Sequence, residues 1–357
     1  YAALNTTALP AATIADGSTA FNTRIWSGDA NTSRALTGLN MAPDFVWFKK
    51  RSGTFSHYLF DSVRGNTKQL KSNSTDVEET TSNKLISFDS DGFTVGNAGA
   101  VNGIGDTYVA WAWDAGSSTV SNTDGNITSS VRANPSAGFS IVSYTGNDAT
   151  SATVGHGLNA KPEFMIIKNR DTSGHDWVVY HRALGATKRL DLNSAGGPST
   201  NIAQFNNTEP TNSVFTIGTY ENINTTDKYI AYIFAPVAGF SAFGGPYTGN
   251  GTTSGPFQYC GFKPRWIMIK PFVIGSSANG SNWIIFDTVR STYNETGEWI
   301  RANEDAAEYT GGNDQIDILS NGFIPRQGNT QVNHQSNQYL WIAFAEHPFQ
   351  ANGGLAR

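Results

Sequence analysis

Charge is what this chain has least of. Only 15% of its 357 residues are charged, against roughly 25% in an average soluble domain. Lys and Arg total 24, Asp and Glu total 29, the net charge is −5, and no basic cluster stands out. Binding to phosphate backbones needs such clusters, so nucleic acid is not an expected partner. The single cysteine, Cys260, excludes an internal disulfide framework. No apolar run reaches the about 18 residues that a membrane-spanning helix requires, so no membrane insertion is expected. No basic-then-apolar leader opens the chain, and it begins at Tyr1, which reads as a fragment or a processed product. A P-loop, a dinucleotide fingerprint and a Gly-x-Ser-x-Gly elbow are all missing, which removes the commonest signatures of nucleotide and acyl-transfer chemistry.

Aromatic residues (12%), 37 glycines and abundant Asn, Ser and Thr are present instead. Uncharged polar surfaces over aromatic, β-branched runs are the composition of all-β proteins. The run Tyr108-Val109-Ala110-Trp111-Ala112-Trp113 returns as Tyr229-Ile230-Ala231-Tyr232-Ile233-Phe234 and as Tyr339-Leu340-Trp341-Ile342-Ala343-Phe344. Each is short and apolar throughout, which fits a strand buried on both faces and closing a repeated unit.

Other segments recur in the same order. A strand ends on an aromatic and a Gly turn at Trp26-Ser27-Gly28-Asp29, Tyr144-Thr145-Gly146-Asn147 and Tyr247-Thr248-Gly249-Asn250. A Pro-led strand follows: Pro43-Asp44-Phe45-Val46-Trp47-Phe48-Lys49, Pro162-Glu163-Phe164-Met165-Ile166-Ile167-Lys168, and Pro264-Arg265-Trp266-Ile267-Met268-Ile269-Lys270. Then come His57-Tyr58-Leu59-Phe60-Asp61, Trp177-Val178-Val179-Tyr180-His181 and Trp283-Ile284-Ile285-Phe286-Asp287. The period of about 100–120 residues is that of a domain, not of a solenoid repeat. The expected architecture is all-β, three tandem antiparallel β-sandwich domains of jelly-roll or lectin-like type, with few or no helices. The boundaries are 21–116, 137–237 and 239–349. Residues 1–20 read as a linker from an upstream domain, 117–136 as a second linker and 350–357 as a C-terminal tail.

Candidate chemistry is sparse. Asp61 with Arg64 and Asp287 with Arg290 sit at matching positions past a strand, and read as turn-capping surface pairs or as a polar ligand site. The histidines (57, 156, 175, 181, 334 and 347) have no i, i+4 metal spacing. Asp89-Ser90-Asp91-Gly92 opens like a calcium loop without the later bidentate Glu, and reads as a polar turn. Glu78, Glu79, Glu163, Glu304 and Asp305 supply carboxylates but no recurring pair of the kind glycoside hydrolysis needs. Trp26 and Trp299, the latter beside Glu298 and Arg301, lie near turns where they would stack on a sugar or pack between domains. Cys260 reads as a small buried hydrophobe. No catalytic, metal or cofactor residue is assigned, no cofactor is expected, and the chain does not read as an enzyme.

Together these motifs resemble repeats of virion proteins of tailed bacteriophages, marine ones in particular. The residues that carry the resemblance are Tyr144-Thr145-Gly146-Asn147, the Pro43 to Lys49 run, Leu59-Phe60-Asp61-Ser62-Val63-Arg64-Gly65, Ser90-Asp91-Gly92-Phe93-Thr94-Val95 and Tyr108 to Trp113. Ala343-Phe344-Ala345-Glu346-His347-Pro348-Phe349 and the final Ala356-Arg357 are similar to that family's C terminus. The opening through Leu9-Pro10 and Asp16-Gly17-Ser18 is similar to a linker leaving a SPRY-like or lectin-like sandwich. The second copy has lost the Asp-Ser-Val-Arg and Asp-Gly-Phe motifs. The resemblance implies a virion structural protein, the C-terminal part of a tail fibre or appendage at the particle surface. Its expected partners are other virion proteins, further copies of itself and a host-surface glycan. The alternatives are a capsid decoration or fibril-forming protein without host binding, and a glycan depolymerase.

Overall fold

The computed structural model describes residues 14–273, 282–310 and 315–345. The fold is all-β, built from antiparallel sheets, and among the described residues a 3-10 turn at Gly17–Thr19 is the only helical element. The strands fall in three successive units with one plan. In the first, the sheet order is Phe21–Ser27, Thr107–Trp113, Phe45–Lys50, Tyr58–Asp61. In the second, Phe139–Thr145, Lys228–Phe234, Phe164–Asn169 and Val178–His181 repeat that order inside an eight-stranded sheet. In the third it is Ser241–Thr248, Gln338–Ala345, Pro264–Val273, Ile284–Asp287. The register repeats too. Trp113 pairs with both Phe21 and Phe45, Phe234 with Phe139 and Phe164, and Phe344 with Ser241 and Trp266.

The closing strands are buried on both faces, as their unbroken apolar runs require. On one face each main sheet is covered by a smaller sheet: Arg34–Thr37, Gly92–Val95 and Leu85–Asp89 in the first unit, Ala152–Gly155 and Val214–Ile217 in the second. Gln258–Tyr259, Gly322–Pro325 and Ile316–Leu319 do the same in the third. On the other face the three main sheets meet one another. Trp113, Phe234 and Phe344, at equivalent positions, form a triangle with ring centroids 6.3, 5.6 and 5.7 Å apart. One apolar core therefore runs through all three units around a pseudo-threefold axis, and aromatic pairs at these distances add to the burial of their surfaces.

The recurring Gly turn has one physical explanation in all three places. Trp26, Tyr144 and Tyr247 stack on Tyr108, Tyr229 and Tyr339. Their polar tips donate to the carbonyls of Val101, Ile223 and Val332. A Cβ on Gly28, Gly146 or Gly249 would lie 2.0–2.3 Å from the backbone oxygen of Gly103, Thr225 or His334, so only glycine fits the turn.

Two expectations about linkers are corrected. Residues 14–20 do not run free: Ile14 is buried in the common core, and Asp16 caps the 3-10 turn through the Ser18 amide (2.9 Å). Residues 1–13 and the tail 350–357 lie outside the described residues. Residues 117–136 are not a linker either. Thr119–Asn122 and Ser129–Asn134 are strands that extend the second unit's sheet beyond Phe139–Thr145. Val131 of Ser129–Asn134 joins the second unit's core, whereas Thr119–Asn122 holds by backbone pairing and is exposed along most of its length.

Candidate functional site

The units close a ring in which each reaches into the one before it. Lys168 donates from Nζ to the Thr75 carbonyl (3.4 Å), and Lys270 to that of Ser194 (3.0 Å). Lys49 closes the circle by donating to the Asp305 carbonyl (3.2 Å). Nε1 of Trp177 donates to the Lys71 carbonyl (2.8 Å), and Nε1 of Trp283 to that of Asp191 (3.0 Å). His57 holds the same position in the first unit. Its Nδ1 accepts from Trp47 (2.8 Å), which leaves Nε2 to donate to the Arg301 carbonyl (2.9 Å). Burial pushes Lys49 and Lys168 down to about 8 and Lys270 to about 7.

Asp61 and Arg64, with Asp287 and Arg290, belong to this ring and not to the surface. All four side chains are fully buried. Asp61 accepts from the Val63 and Arg64 amides, from Arg64 Nε (2.5 Å) and from Tyr232 Oη of the second unit (2.8 Å). Arg64 also pairs with Glu78, which Arg170 of the second unit grips from the other side. Burial alone would raise Glu78, but Arg170 and Arg64 outweigh it and hold its carboxyl below the usual range. The third–first boundary repeats this set. Asp287 accepts from Arg290 (2.5 Å) and Trp111 Nε1 (2.9 Å), and Glu308 bridges Arg290 and Arg51. The second–third boundary replaces every member with His181, Leu184, Gly197, Phe272 and Ile342.

The remaining candidates are occupied by protein partners. His156 meets the Thr211 carbonyl, His175 the Asn222 side chain, and His334 the Gln335 carbonyl. His181 accepts from the Ala183 amide, and burial drives it down to about 3. His347 lies outside the described residues. Asp89 accepts from Ser87 and Thr94, and Asp91 clamps the amides of Gly38 and Asn40. Glu79 pairs with Lys71, Glu304 with Arg301, and the Asp305 carbonyl serves Lys49 and the Phe55 amide. Glu298 meets the Ser291 hydroxyl. Trp26 and Trp299 present no face to solvent, being 7% and 6% exposed and stacked on Tyr108 and Tyr309. Cys260 is buried, and burial raises its thiol. Among the described residues no group of three or more His, Cys, Asp or Glu side chains converges as metal ligands.

Glu163 is also paired, with Arg182, but at a corner that stands open, and symmetry shows why. It is equivalent to Asp44 and Arg265, each held at the corner between two units by matching backbone bonds. At the first–second corner Arg132, from the strand Ser129–Asn134, lies on Asp44 at 2.6 Å, and Ser62 and the Ala115 amide complete its shell. At the third–first corner Arg265 itself crosses to Asn22 (2.8 Å). At the second–third corner the connection through Pro236 and Ala238 is short, and Ser241–Thr248 is the outer strand of its sheet. A cleft of about 600 Å³ opens there, lined by Glu163 and Arg182 on one side and by Phe243, Gly244, Tyr259 and Trp341 on the other. Arg182 pairs with Glu163 (3.2 Å) and donates to the Phe243 carbonyl (2.6 Å). Burial raises the Glu163 carboxyl against the pull of Arg182 and Lys161. Tyr259 is 67% exposed at the rim. Gly244 lies under the Trp341 indole, where a Cβ would come within 2.0 Å of the ring.

Sequence reasoning missed Arg182, Tyr259 and Trp341 as neighbours of Glu163: Arg182 lies just past the next strand's far end, and Tyr259 and Trp341 follow about 100 and about 180 residues further along the chain than Glu163. It also missed the buried Asn102, Asn224 and Asn333, whose side chains accept from the amides of Asp29, Asn147 and Asn250 in the three Gly turns. The recurring Val101-Asn102, Ile223-Asn224 and Val332-Asn333 pairs carry that signal. Residues 16–348 match a family described as a domain of unknown function (DUF7483), and the chain belongs to it. No curated protein matches the chain.

Proposed function

We propose that this chain is a non-catalytic structural and adhesion module of a bacteriophage virion, part of a tail fibre or similar appendage at the particle surface. The observation that carries this reading is where the titratable side chains go. Most candidate acids, bases and histidines seen in the sequence are bonded within a closed ring of three units or inside its turns. Such a ring is a rigid platform that presents uncharged polar loops, and loops on rigid scaffolds are where recognition sits. The motif resemblance supplies the phage setting. On this reading the partners are other virion proteins, further copies of the chain and a host-surface glycan.

Adsorption competition tests it. The purified chain, added in excess to host cells, slows phage adsorption in proportion to its concentration. Unchanged adsorption by a folded chain overturns the adhesion half of the reading. Absence of the chain from purified particles, probed with an antibody, overturns the virion half.

A further inference from the structure

We propose that the cleft at the second–third corner binds one neutral pyranose unit of a glycan; this rests on the adhesion reading. The other two corners are closed by Arg132 on Asp44 and by Arg265 reaching Asn22, so among the described residues this is the corner that stands open. Its walls supply the groups a sugar needs. Tyr259 offers an exposed ring for the C–H face of a pyranose. Glu163 and Arg182 lie side by side, a carboxylate that accepts from one hydroxyl next to a half-exposed guanidinium that donates to its neighbour. The pair carries no net charge, which selects a neutral sugar over an acidic one. Gly244 and Gly245 bring backbone, without side chains, to the floor. The volume, about 600 Å³, is that of a small-ligand site.

An added peptide strand fits this edge poorly. Arg182 already occupies the Phe243 carbonyl, the register shifts between Gly244 and Tyr247, and Pro246 lacks a donor.

The test is a titration of the whole chain with methyl glycosides of glucose, galactose, mannose and N-acetylglucosamine, and of glucuronic acid as the acidic control. Saturation-transfer NMR is the readout. The expected result is one site per chain for at least one neutral sugar. Tyr259→Ala weakens binding at least tenfold, Glu163→Gln weakens it measurably, and Tyr259→Phe retains it. Near-UV circular dichroism verifies the fold of each variant, and the exposure of Tyr259 makes that variant safe to fold. Binding that Tyr259→Ala leaves unchanged overturns this assignment and leaves the adhesion reading standing. Preference for glucuronic acid overturns the choice of a neutral sugar. A chain that binds none of these sugars yet blocks phage adsorption overturns the cleft alone, and one that does neither overturns both.

Discussion

Two boundaries of the ring are ionic and one is apolar, although the same strands build all three. At the first–second and third–first boundaries an Asp, an Arg and a Glu are met by an aromatic donor and a second Arg across the interface. At the second–third boundary those positions hold His181, Leu184, Gly197, Ile342 and Phe272, and the last two belong to the common core. The replacement is complete; no position keeps its ionic member. A buried network and an apolar contact are each tolerated when whole, whereas a network missing one member leaves a charge with nothing to answer it. The apolar boundary is also where the corner stands open, so the unit that gave up the ionic set is the one beside the cleft.

The largest expected effect comes from breaking one member of an ionic set. Arg64→Leu strands Asp61 in the interior without its cation, leaves Glu78 to Arg170 alone, and costs about 3–5 kcal/mol, read as a fall in the urea midpoint followed by tryptophan fluorescence. Arg290→Leu does the same at the other ionic boundary. The sharper experiment copies the apolar set onto the first–second boundary with Asp61→His, Arg64→Leu, Glu78→Gly, Arg170→Phe and Tyr232→Ile together. This quintuple variant recovers most of the loss, because neighbouring substitutions that share partners are not additive. A quintuple variant no more stable than Arg64→Leu would show that the sets are not interchangeable.

This comparison was half legible in the sequence. The Asp-Ser-Val-Arg motif and its loss in the second copy are visible as residues, and the strand plan follows from local apolar runs. The burial of that motif was not visible. Its neighbours Tyr232 and Arg170 lie more than 100 residues away, and nothing local tells an exposed Asp–Arg turn from a buried one. Ring closure escaped for the same reason, since Lys49 meets Asp305 across most of the chain. The strands within 117–136 escaped for the opposite reason: their evidence is local but weak, because exposed Thr119–Asn122 carries no apolar alternation. Trp26 and Trp299 looked available near turns, and aromatic stacking closed them.

The second effect separates the boundaries by their lysines. Unfolded lysines keep their protons to about 10.4, while burial lets Lys49 and Lys168 release theirs near 8 and Lys270 near 7. Between those values the unfolded chain binds more protons than the folded one, so stability rises with pH. Below pH 7 the cost of the buried charges is present in full. The urea midpoint is expected to climb from pH 7 to about 10, by about 1.4 kcal/mol per pH unit for each lysine in its window. Above that, unfolded tyrosines ionise while buried Tyr144, Tyr232 and Tyr247 resist, and stability falls again. Lys270→Met removes the rise between pH 7 and 8, and Lys49→Met trims only the part above 8. Midpoints that decline from pH 7 to 9.5 in the wild-type chain would contradict this.

The last effect belongs to one residue of the apolar boundary. His181 stands where the ionic boundaries place aspartate, and burial holds it neutral down to about 3. In the unfolded chain it takes a proton near 6.5. As pH falls below 6.5 the unfolded state gains that proton first, so the stability contributed by neutral His181 drains away, by about 1.4 kcal/mol per pH unit, until the folded imidazole is protonated as well. His57 adds a parallel loss at the third–first boundary, where burial also lowers it. His181→Gln keeps a polar side chain beside the Ala183 amide but cannot titrate. Its denaturation midpoints, measured from pH 7 to pH 4, should fall along a shallower line than the wild type, with the His57 share intact. Parallel lines for the two proteins would mean that the apolar boundary opens to water in acid, and that the contrast between the boundaries holds only near neutrality.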